Sequence, residues 1–242
     1  MRNWIVVILV ILSFSAAAFA VETAEGLVAK NLAARGGLEN LQKLTSLRAT
    51  GKNMLPGGSE VPMVILQKRP QQFRLESNFN GHTTTMGSDG KQAWRTSALG
   101  GAHPMDTEQA LVVQLQTDFD GVLLDYKERG YKLELVGDEE LGAAVVYHLK
   151  LTHPDLADLD VYLDANNYLE KSITATRMVG DNPWTVSSFF ADYRELAGVK
   201  VPYAIQVRTA DRVAADIRID KIEANVPLDD SLFKMPASKI EE

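Results

Sequence analysis

Within residues 184–225, two stretches alternate between apolar and polar side chains. Val201, Tyr203, Ile205 and Val207 fall on one side of the first, with Lys200, Gln206 and Arg208 on the other. In the second, Val213, Ala215, Ile217 and Ile219 oppose Asp216, Arg218 and Asp220. Strand side chains point to opposite faces with period two, so each stretch has one dry and one wet face. A two-stranded ribbon cannot shelter a dry face alone. Another layer, or a ligand, has to cover it.

The same period recurs upstream. Residues 46–53, 61–69, 71–77, 82–86 and 92–95 read as strands, and so do 131–136, 143–152, 159–163 and 168–178. Turn chemistry separates them: Pro56-Gly57-Gly58, Arg69-Pro70, Asn80-Gly81, Asp89-Gly90 and Gly137-Asp138. Regular strands at short spacing predict a large antiparallel sheet or barrel. Helices interrupt the pattern twice. Residues 23–35 form the first, with Thr23 as cap and Gly36-Gly37 as stop, followed by a short second helix from Leu38. A later helix opens at Asp106, with Gln109 three residues on, after a flexible approach through Gly100-Gly101 and Pro104. Its apolar arc is broad: Ala110, Leu111, Val112, Val113, Leu115 and Phe119. Residues 121–128 add Val122, Leu123, Leu124 and Tyr126. So wide an apolar face predicts a helix buried against something rather than one lying on the surface.

Residues 1–20 read as a secretory signal. A short basic start precedes an apolar run, and Ala18-Phe19-Ala20 has the form of a cleavage site. The expected mature chain is one domain over residues 21–242, exported to the periplasm. Without Arg2 it carries 24 basic and 32 acidic residues, a formal charge of −8. That balance argues against nucleic acid as a partner, since phosphate binding needs clustered Lys and Arg. The chain has no cysteine, which removes thiol nucleophiles, and a core of this size needs no disulfide.

No catalytic constellation stands out. His82, His103, His148 and His153 lack zinc-type spacing. His153, near Asp155, Asp158 and Asp160, reads as part of a solvated acidic hairpin rather than a cation site. There is no nucleophile elbow, phosphate loop or dinucleotide fingerprint. The expectation is therefore no catalytic residue, no metal and no cofactor. The surplus lies in apolar bulk. Phe73, Trp94, Trp184, Phe190 and Tyr203 join Leu111, Leu115 and Phe119 of the helix, with Ile205 and Ile217 from the alternating strands. Each one alone reads as core. Together, a half-closed sheet with a broad helix across its mouth leaves an apolar cavity for an acyl chain.

Several stretches resemble the LolA-like family of periplasmic outer-membrane lipoprotein-sorting proteins. They are residues 34–41 (ARGGLENL), 47–51 (LRATG), 68–75 (KRPQQFRL), 89–94 (DGKQAW), 190–202 (FADYRELAGVKVP) and 227–233 (PLDDSLF). The resemblance spans the expected mature chain. It implies a mainly β fold with covering helices, in which a curved antiparallel sheet forms an incomplete β-barrel around an apolar cavity. It also implies a carrier of lipid acyl chains or lipoproteins, loaded by an inner-membrane release complex and unloaded at an outer-membrane acceptor. The family's functional arginine is assigned to no residue here: Arg48, Arg69 and Arg74 in the early strands are all candidates. The helix from Asp106 would be a lid, with Gly100-Gly101 as its hinge. Three other readings stand beside the carrier: an envelope stress or lipid sensor acting through a protein partner, an envelope hydrolase, and a structural domain whose helix simply fills the barrel.

Overall fold

A computed structural model describes residues 22–96, 101–117, 120–209 and 212–237. The signal-like segment, Gly100 and Phe119 lie outside the described residues.

The N-terminal helix α1 (Ala24–Ala34) begins where Thr23 Oγ1 accepts from the Gly26 amide at 3.1 Å. It ends at Gly36, whose φ of +120° few residues tolerate and where a Cβ would strike the Gly198 carbonyl. The short α2 (Leu38–Lys43) follows. Six strands come next: β1 (Ser46–Met54), β2 (Glu60–Lys68), β3 (Gln72–Phe79), β4 (His82–Ser88), β5 (Ala93–Thr96) and β6 (Ala102–Pro104). After α3 (Thr107–Thr117), seven more complete the sheet: β7 (Lys132–Leu141), β8 (Ala144–Thr152), β9 (Asp158–Asp164), β10 (Glu170–Val179), β11 (Asn182–Leu196), β12 (Val199–Thr209) and β13 (Arg212–Ala224).

All pair antiparallel in the order β6-β5-β4-β3-β2-β1-β13-β12-β11-β10-β9-β8-β7. Strands consecutive in sequence are sheet neighbours except β6 and β7, and the pairing of β1 with β13 joins the two halves. The outermost strands, β6 and β7, do not pair with each other. The sheet is therefore an incomplete barrel, with helices over its open side.

The concave face is the dry one. Cross-strand rows put Ala49 beside Ile65, Ile65 beside Leu75, and Ile205 beside both Phe190 and Ile217. Leu27 and Val28 of α1 and Leu111 and Val113 of α3 pack onto this face. Val122, Leu123 and Tyr126 from the segment after α3 join them. A second cluster of Leu41, Leu44, Leu47, Val199 and Val201 holds α2 against β1 and β12.

Three sequence expectations change. Residues 102–104 form a strand against β5 instead of a flexible loop. An edge position suits Pro104, which has no amide to donate. A register shift at Val207/Arg208 breaks the alternation of the last hairpin, and Val213 ends up 51% exposed. Such a bulge leaves one strand a residue out of step with its partner. Trp94, finally, faces outward. It pairs with Gly87 in the row that also holds Arg74, on the convex side. There its Nε1 donates to the Phe233 carbonyl at 2.8 Å, so the C-terminal turn Asp230–Phe233 is what covers it.

Candidate functional site: an apolar cavity with a polar end

The concave face is not completely filled. Leu47 and Ala49 of β1, Ile65 of β2, Phe190 of β11 and Ile205 of β12 surround a cavity of about 120 Å³, and Leu115 of α3 also lines it. Gln67 and Ser188 position the C-terminal end of α3. Gln67 Nε2 donates to the Gln116 carbonyl at 2.6 Å, and Gln116 Nε2 to Ser188 Oγ at 3.4 Å.

One end of the cavity is polar. Arg35 is the C-cap of α1, and its carbonyl accepts from the Lys200 amide at 2.8 Å. The helix stop and the guanidinium are thus placed by the same residue. That guanidinium donates to the Asp120 carbonyl and lies 3.6 Å from a Glu170 carboxylate oxygen. Both side chains are 6% exposed. A buried pair needs further hydrogen bonds to offset its lost water. Tyr193 supplies contacts here: its hydroxyl donates to the Glu170 carbonyl at 2.9 Å and lies 3.4 Å from Oε2. Burial first, then the Glu170 charge, push this hydroxyl well above its usual 10.0. It stays a neutral donor at any physiological pH. Gly121 completes the end; a Cβ there would strike Arg35.

Of the three arginines left open by the resemblance, Arg69 reaches the segment beside the cavity. It pairs with the Asp120 carboxylate and donates to the Leu41 and Leu44 carbonyls at 2.8 and 2.6 Å. It thus ties the end of β2 to α2 and to the chain following α3. Arg48 pairs with Glu223 at 3.1 Å, and Arg74 with Glu76 at 2.7 Å; neither lines the cavity.

Leu115, Phe190 and Ile205 of the anticipated set line the cavity. Phe73, Leu111 and Ile217 belong to the buried core around it, and Trp184 and Tyr203 pack half-buried against that core. Trp94 is on the convex face, and Phe119 lies outside the described residues. Sequence reasoning missed Arg35, Glu170 and Tyr193. These come together from separate parts of the chain, and only folding unites them. A weak local signal existed in Arg35, a cation at a helix end whose glycine stop already fixes it.

Elsewhere, His148 sits between Glu139 at 2.8 Å and Asp160 at 2.7 Å. His153 Nδ1 accepts from the Asp155 and Leu156 amides, both at 3.0 Å, which makes it a turn residue. Among the described residues no group of three or more His, Asp or Glu could hold a metal ion, and no helix is long and apolar enough to cross a membrane.

A curved, unclosed antiparallel sheet with helices over an apolar cavity defines a class of fold, and solved structures share it. A LolA superfamily protein from Nitrosomonas europaea is 14% identical; the match covers 88% of this chain and 98% of that one, with a TM-score of 0.58. A provisional outer membrane lipoprotein-sorting protein domain from Vibrio parahaemolyticus is 13% identical, over 87% and 95% of the chains, at 0.54. A DUF1329 family protein from Desulfovibrio piger is 12% identical, over 88% and 98%, at 0.59. No protein-family profile matches the sequence, and no curated protein does. The chain has the LolA-like fold. At these identities the likeness speaks to the fold alone.

Proposed function

We propose that the protein is a non-catalytic periplasmic carrier that takes up acyl chains in the concave-face cavity beneath α3. The observation that carries this reading is the cavity itself: an apolar, incompletely filled space under a helix, bounded at one end by Arg35, Glu170 and Tyr193. Each methylene moved from water into such a space contributes about 0.8 kcal/mol. At about 120 Å³ the cavity is below the roughly 300–1,000 Å³ typical of small-molecule sites. Uptake of a whole chain therefore requires α3 to shift, which is the role of a lid. The anticipated residues Phe73, Leu111, Trp184, Tyr203 and Ile217 surround the space and would become lining as it widens. On this reading lipids or lipoproteins are the cargo, a membrane release complex loads the protein, and an outer-membrane acceptor unloads it.

The test is mass spectrometry of an organic extract from protein purified out of the periplasm without detergent. A stoichiometric lipid or acylated peptide is the expected result. An empty extract, with no uptake of a fluorescent fatty acid, overturns the carrier. Capture of a protein partner under those conditions would turn the assignment to a sensor.

A further inference from the structure

The wall at the polar end of the cavity has two sides. Outside it lies a second hollow of about 370 Å³, and Glu170, Phe190 and Tyr193 line both spaces. The sheet is irregular here on both strands. In β10 the register against β9 shifts between Glu170 and Ser172, which leaves Lys171 as an extra residue. In β11, Val186, Ser188 and Phe190 take the concave face with period two, so Asp192 would come next. Asp192 instead has a φ of +54°, and Tyr193 reaches the cavity in its place. Left-handed backbone at a residue other than glycine costs energy and clusters at functional sites.

The ladder between β10 and β11 stops at the pair Ser172 and Phe189. Beyond it, β11 runs on to Leu196 paired with β12 alone. Among the described residues, the hydrogen bonds that span the gap come from the Tyr193 hydroxyl, to the Glu170 carbonyl at 2.9 Å and to Glu170 Oε2 at 3.4 Å. A side chain thus closes what backbone pairing leaves open, and a side chain can change rotamer without breaking a ladder. The charges around the outer hollow are unequally matched. Its two carboxylates are satisfied: Glu170 faces Arg35 at 3.6 Å, and Asp192 accepts from Nε and Nη2 of Arg194 at 3.0 and 2.6 Å. Lys171 lies 3.6 Å from Asp164, and Lys200 has no ion pair among the described residues. The surplus outside the wall is cationic.

We infer that the break between β10 and β11 is a side portal into the cavity, gated by Tyr193, and that a single-chain anionic amphiphile binds through it with its chain inside and its head in the outer hollow beside Lys200 and Lys171. The inference rests on the acyl-carrier reading and adds the ligand's orientation and charge. With the outer hollow's 370 Å³ included, the joined space falls within the roughly 300–1,000 Å³ of small-molecule sites, which the inner cavity alone does not reach. In this arrangement α3 makes room for the tail, and the portal seats the head. A charged head kept inside would lose its water against an apolar lining, whereas the outer hollow leaves it wet.

Two palmitic acid analogues test this, one with a diazirine beside the carboxylate and one with it near the terminal methyl. Each is irradiated with the full-length mature protein, and the adducts are mapped by peptide mass spectrometry. The head-labelled probe should mark residues 167–171, 190–193 and 200, and the tail-labelled probe the strands around the cavity. Head adducts confined to α3 and the barrel lips overturn the portal and leave the carrier intact. No saturable adduct from either probe overturns both readings. Stopped-flow uptake and release of a fluorescent fatty acid test the gate. Tyr193→Phe should speed both about fivefold, the worth of one ordinary hydrogen bond, with little change in Kd. A packing role alone would lower the melting temperature and leave the rates as they are, so unchanged rates in the folded variant overturn the gate. Lys200→Glu, at an exposed position, keeps the test decisive if that variant fails to fold. It should weaken fatty-acid binding about tenfold, and an unchanged Kd overturns the head site.

Discussion

Arg35 and Glu170 are two charges held almost out of water, 135 residues apart in sequence, at the end of an apolar space. Removing one partner of such a pair leaves the other buried without compensation. Arg35→Met should therefore destabilise the protein by about 3–5 kcal/mol in chemical denaturation. The double variant Arg35→Met, Glu170→Met should recover most of that loss, because two apolar side chains replace the pair without a stranded charge. Tyr193 has a pH signature. Its hydroxyl pKa is raised in the folded state by burial and by Glu170. The folded protein thus holds this proton more tightly than the unfolded chain does. The associated stability is complete below the unfolded value of about 10 and falls as pH rises through the higher folded value. Tyr193→Phe should cost about 1 kcal/mol near neutral pH and flatten the alkaline decline, read from denaturation midpoints between pH 8 and 11.

At the scale of elements, the polar contacts that tie α3 to the sheet among the described residues are Gln67 to the Gln116 carbonyl and Gln116 to Ser188. The native chain contains no cysteine, so two introduced thiols can be joined without side reactions. A short bis-maleimide bridge between Gln116→Cys and Ser188→Cys should abolish uptake of a fluorescent fatty ester, and uptake should be normal in the same protein left unbridged. Full uptake by the bridged protein would remove α3 from any gating role. The elements also show how far sequence reading reaches. Strand alternation correctly put Tyr203, Ile205 and Ile217 on the dry face, because period two is a property of the backbone. The cap of Asp106 on the Gln109 amide, at 2.8 Å, was likewise written locally. Val213 and Trp94 were not recoverable this way. The side that Val213 faces depends on a bulge, and that of Trp94 on the pairing of β4 with β5; both are settled between strands rather than along one. Leu115, Phe190 and Ile205 were visible as apolar bulk, whereas the buried ion pair depended on contacts between distant segments.

For the whole molecule, the unclosed edges need protection from pairing with other chains. β6 has only three residues and contains Pro104, and β7 carries Lys132, Glu134, Asp138, Glu139 and Glu140. Short edges, proline and charge all discourage edge-to-edge association. Cargo binding should register globally. A fatty acid at 100 times its Kd adds about 2.7 kcal/mol to the folded state, which for a chain of this size raises Tm by roughly 5–10 °C. Differential scanning calorimetry with saturating palmitate checks this; an unchanged Tm would mean no preferential binding to the folded protein.

The strand order has a mechanical corollary. Every pair of neighbours along the sheet is consecutive in the chain except β1 and β13, and β6 and β7 are joined by the stretch that contains α3. The covering helix is thus a strap sewn to both lips of the barrel. Spreading the lips draws the strap taut, and slackening it lets them approach. Width of the opening and height of the helix are thereby linked through the chain itself.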